Sequence, residues 1–194
     1  MSLRPSIYAA DIAGFRALLA KKPSTLTQAV ELWYREREFD ETPKEIEQAI
    51  DRLVSGAYSN QPESEEQIYL VAALAHAAGL DSESAEIHWG NWKIGAYDDY
   101  FTALTPLLPD ASLRYTQWLL HGRPLFGSRI ITEWAYYSFL MADELRQLTA
   151  DLAKAHTRVP ELDSPNCIHG FPTEFRGWLR QVQDRDADLW LFAE

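Results

Sequence analysis

Three short apolar runs frame this chain: residues 7–10 near its start, 135–140 at its middle and 188–193 at its end. Each has the length of a strand, and the long stretches between them carry apolar residues at helical spacing. Short strands at both termini often pair and tie the ends of a domain down. The pattern predicts a helix-rich α+β single domain over residues 4–193. It has a small sheet of about three strands (N-terminal, central and C-terminal), with seven or so helices packed on it.

The helical stretches read as follows. Asp11 caps a helix through about Leu19, with Ile12, Phe15, Leu18 and Leu19 on one side. Leu26, Ala29, Val30 and Trp33 form the inner face of a second, over 26–39. A third starts near Thr42, with Pro43 in its first turn and Ile46, Ala49, Ile50, Leu53, Val54 and Ala57 as a stripe. Ser64 and Gln67 make a capping box for a fourth, over 65–78, closed by Gly79. Apolar residues surround that helix, so it is expected to be deeply buried, with His76 a hydrogen-bonded core histidine. Shorter helices follow at 97–104 and 113–120, then longer ones at 143–155 and 173–184. The 157–172 loop before the last is long for a structureless connection.

Charge narrows the classes of partner. The formal net charge is −11. Nucleic-acid binding runs on Lys and Arg displacing counterions, so an acidic chain without basic runs argues against nucleic acid and anionic membrane. A basic protein partner stays open, because opposite charges steer association. The acidity has an address: residues 31–66 hold eleven acidic and four basic side chains, a net of −7. This is either the solvated outer face of two helices or a docking face. The single cysteine, Cys167, fits a reducing, cytoplasmic setting. The opening MSLRPSIYAAD lacks the apolar core of a signal peptide, and no run approaches the roughly 18 apolar residues of a membrane span.

Catalytic motifs are absent. No GxxxxGK[ST], GxGxxG, HExxH or GxSxG occurs, so no cofactor is implied and no catalytic residue is assigned. The histidines are scattered. Cys167 and His169, in the long loop, are too few for zinc, so no metal is expected. Aromatics are the unusual feature: twelve of 24 lie between 84 and 139. Rings beside carboxylates and arginines hold sugars, cationic groups or anions, and equally serve as core. The candidate ligand-binding set is Trp89, Trp92, Tyr97, Arg123, Arg129, Trp134 and Tyr136. The arginines stand either at a pocket rim or in internal salt bridges. Asp98 and Asp99 are neighbours, so on a helix they diverge by about 100° and make a poor acid–base pair.

Four segments carry a resemblance: SIYAADIAGFRALL, TQWLLHGRPLFG, YYSFLMADELRQLTADLAKAH and EFRGWLRQVQDRDADLWLFA. Their order resembles an uncharacterised bacterial family, a domain of unknown function. The resemblance implies a soluble, cytosolic bacterial protein without an assigned reaction. Two functions are expected on these grounds. The first is a non-catalytic acidic protein-interaction module of the immunity or antitoxin kind. The alternative is a small-molecule-binding protein or unfamiliar enzyme with an aromatic-lined pocket.

Overall fold

The computed structural model describes residues 3–21, 24–57, 64–88, 92–126, 135–158 and 170–194. Its elements run β1 (Pro5–Ala10), α1 (Ile12–Lys21), α2 (Ser24–Glu36), α3 (Pro43–Val54), α4 (Glu65–Ala77), β2 (Glu86–His88), α5 (Ile94–Leu104), α6 (Asp110–His121), β3 (Tyr136–Leu140), α7 (Ala142–His156), α8 (Phe171–Asp184) and β4 (Asp188–Ala193). The α+β class stands, and all three expected strands are present. The fourth strand, β2, is only three residues long, too short to show an alternating pattern in sequence.

Local chemistry sets the helix ends. The Asp11 carboxylate accepts the Gly14 amide at 2.8 Å and starts α1. Thr42 and Glu45 form a capping box on α3, and Ser64 with Gln67 forms one on α4. Gly79 takes the left-handed conformation (φ 76°) after α4 and turns the chain back.

The sheet is antiparallel throughout, in the order β2-β1-β4-β3. Strands alternate their side chains, so each face of the sheet has its own partners. Tyr8, Trp190, Tyr137 and Phe139 face one way and pack with the apolar stripes of α1–α4. Ile7, Leu189, Leu191, Tyr136 and Leu140 face the other way and pack with α5–α8. The sheet is therefore the middle of three layers. Antiparallel sheets often leave one face in water. Here both faces are covered, which is why the strands read as unbroken apolar runs rather than as alternating ones.

Two polar devices join the layers. Asp188, 9% exposed at the head of β4, accepts the Ile12 amide of α1 at 3.0 Å and the Ala142 amide of α7 at 2.8 Å. One carboxylate thus caps helices on opposite faces of the sheet. At the β3 edge, the Arg123 amide donates to the Tyr137 carbonyl at 3.1 Å, and its guanidinium to the Phe139 carbonyl at 3.3 Å. Edge groups that would otherwise template pairing with another chain are thereby covered.

Candidate functional site

Of the seven residues expected to bind a ligand, Trp89, Arg129 and Trp134 lie outside the described residues, as do Cys167 and His169. The structure places the other four in two groups. Trp92 donates its indole N–H to Glu174 at 2.9 Å and meets Phe171 edge-on. Tyr97 is fully buried on α5, edge-on to Phe101, Phe171 and Phe175. Tyr136 is 3% exposed and donates its hydroxyl to the Leu119 carbonyl at 2.9 Å. Burial pushes both phenols up, so they stay neutral. Arg123 belongs elsewhere: it lies between Trp118 and Phe139, at 4.0 and 4.3 Å, and pairs with Glu144. It is used inside the fold, the internal-pair alternative of the sequence reading. Tyr97 and Tyr136 are core.

The structure instead assembles a cleft whose residues sequence spacing did not bring together. Its floor comes from the sheet. Ser6 pairs with Phe192 and Tyr8 with Trp190 across β1 and β4, so all four project towards α1–α4. Its walls are Trp33 of α2, Arg37 just beyond it, Ala72 and His76 of α4, Asp81, and Glu194 just after β4. The enclosed volume is about 180 Å³. Trp33 and Arg37 are four residues apart, and the guanidinium lies 4.2 Å over the indole.

His76 corrects an expectation. Its helix is buried from Leu70 to Ala75, yet His76 itself, in the last turn, has 52% of its side chain exposed. It is hydrogen-bonded, but at the surface rather than in the core. The turn at Gly79 brings Asp81 back, and Nδ1 lies 3.1 Å from both carboxylate oxygens. An Nδ1–H donated to Asp81 leaves Nε2 as an acceptor. On the floor, burial raises the Tyr8 phenol to about 12. A hydrogen bond from Ser6 opposes this, while the charges of Asp81, Glu86 and Glu194 add to it. At neutral pH Tyr8 is therefore a neutral hydroxyl in a negative field.

A second recess shares a wall with the first. Trp33 stacks on Phe39 (6.0 Å, 12°), and Phe39 continues into Tyr34 and Tyr69 at 5.1 and 5.3 Å. These three rings, with Glu41, Glu65 and Glu66, line a groove of about 270 Å³ between α2 and the start of α4. Burial first, and then Glu41 and Glu66, push the Tyr34 phenol up. Rings under three carboxylates make a receptacle for a cationic side chain. The surrounding face is acidic as well: between α2 and α3 a further recess carries Glu31, Glu47 and Asp51 beside one cation, Lys44. The described acidic side chains of the run 31–66 thus lie at the surface, and α2 also exposes Leu32.

Among the described residues, no three His, Cys, Asp or Glu side chains gather as metal ligands. No helix there is long and apolar enough to cross a membrane. Comparison with protein families finds one whose profile matches residues 1–194, Domain of unknown function (DUF7691). No curated protein matches the chain, and no solved structure does.

Proposed function

The chain belongs to the DUF7691 family, and we propose that it is a non-catalytic acidic protein-interaction module, immunity- or antitoxin-like, that docks a basic partner in the bacterial cytoplasm. The observation that carries this reading is the groove of Tyr34, Phe39 and Tyr69 under Glu41, Glu65 and Glu66, set within the most acidic part of the chain. Diffuse negative charge raises the on-rate for a basic partner. A ring-lined groove adds what diffuse charge lacks, a fixed seat for one arginine or lysine side chain.

The test uses a fluorescent Arg-rich peptide and its neutral Gln counterpart, measured by anisotropy against the full chain. The triple variant Glu41→Gln, Glu65→Gln, Glu66→Gln is compared with a charge-matched control, Glu83→Gln, Asp98→Asn, Asp184→Asn. Exposed charge pairs contribute about 0.2–1 kcal/mol each, so removing three at the seat should weaken binding about tenfold. The control should stay close to the parent. Equal losses in both variants, or no saturable binding of the basic peptide, would overturn the assignment.

A further inference from the structure

We propose that the cleft over β1 and β4 binds a small zwitterion of the amino-acid type, with its carboxylate on Arg37 and its ammonium beside Asp81 and Tyr8. Size comes first. The cavity of about 180 Å³ falls below the roughly 300–1,000 Å³ of clefts for drug-sized ligands. That suits one amino-acid-sized molecule better than a nucleotide or cofactor.

The charges choose among small molecules. Arg37 has no carboxylate within ion-pair distance among the described residues. Its guanidinium carbon lies 4.2 Å over the Trp33 ring, and a guanidinium without an ion-pair partner can take a carboxylate through two parallel hydrogen bonds. On the other side Asp81 retains acceptor capacity beyond its bond to His76, and its charge reaches the Tyr8 hydroxyl. A simple cation would face Arg37. A simple anion would face Asp81 and Glu194. An apolar molecule would strip water from these ions and leave them unmatched. A molecule carrying both charges on an apolar body meets all three demands. The rings that would seat that body are already held in place: Trp190 is 1% exposed and stacks on Tyr137, and Trp33 is 4% exposed. A preformed seat lowers the ordering cost of binding.

The experiment is calorimetric titration of the full chain with each of the twenty free amino acids, up to millimolar concentration. The best binder is then compared with its decarboxylated amine and its deaminated acid. The expected result is saturable 1:1 binding of at least one amino acid, weakened about tenfold or more by removal of either charge. Arg37→Gln should abolish the preference over the amine while keeping the preference over the acid. Asp81→Asn should do the reverse. Both positions lie at the surface, and circular dichroism confirms that each variant is folded. Three outcomes would overturn the proposal: no amino acid binding, the amine or acid binding as well as the zwitterion, or both variants losing the two preferences together.

Discussion

Asp188 offers the sharpest test of how the three layers are joined. Its two oxygens accept the first amide of α1, at 3.0 Å, and the first amide of α7, at 2.8 Å, from a site only 9% exposed. Those amides have no partner within their own helices, and the carboxylate also answers the positive end of each helix. Asp188→Ala removes two hydrogen bonds to a charged group, worth about 1.5–3 kcal/mol each when buried. The Ala142 side is only partly buried, so water recovers part of one. The expected loss is about 3 kcal/mol. Asp188→Asn is the informative companion. It keeps the size but turns an NH₂ towards one of two amide donors, so it should still lose about 2 kcal/mol. Urea unfolding followed by far-ultraviolet circular dichroism reads both, with an unchanged m-value. In a chain this long, about 3 kcal/mol lowers Tm by roughly 6–12 °C. If Asp188→Asn matches the parent, or Asp188→Ala loses under about 1 kcal/mol, the double cap is not what fastens the layers.

Two further predictions concern buried polar groups. His88 stacks on Trp178 at 3.6 Å, and burial lowers its pKa from 6.5 to about 4, with Glu174 pulling weakly the other way. Between those values the unfolded chain takes up a proton that the folded chain refuses. Stability is therefore whole above about pH 6.5 and falls as pH drops towards 4, by no more than about 3 kcal/mol from this group. His88→Gln should flatten that part of the stability–pH curve, and an unchanged slope would show that other groups set it. Tyr97 carries a buried hydroxyl with no hydrogen-bond partner among the described residues. Tyr97→Phe keeps the ring contacts and should raise stability by about 1 kcal/mol in chemical denaturation. A loss instead would mean that the hydroxyl engages something.

What the sequence disclosed follows from range. Helix caps are local, so Asp11, Thr42 and Ser64 were readable from neighbours three residues away. The strands were readable because both faces of the sheet are covered, which leaves largely apolar runs at residues 7–10, 135–140 and 188–193, where the strands Pro5–Ala10, Tyr136–Leu140 and Asp188–Ala193 stand. The acidic face was readable as a density of charge. The cleft was not, because its floor depends on Tyr8 meeting Trp190 across nearly the whole chain, and spacing holds no record of such register. His76 and Asp81 were within reach: five residues apart around Gly79, they signal a helix end that folds back. The buried character of the preceding turn obscured this. Within the aromatic stretch 84–139, Tyr97 and Tyr136 serve the core, where large rings bury most area.

The place of β4 bears on how the protein comes to exist in a cell. β4 lies between β1 and β3, yet it is the last of the four strands to be synthesised. While the ribosome is still making the helices, β1 and β3 have no central partner. Their hydrogen-bonding edges and apolar side chains stay open until residues 188–193 emerge. Contacts that span the whole sequence form late and slowly, and unpaired strands in the interval invite association between nascent chains. The sheet thus closes in a single late step. A ribosome stalled just before β4 would hold all eight described helices with no finished sheet between them and a claim on the cell's chaperones.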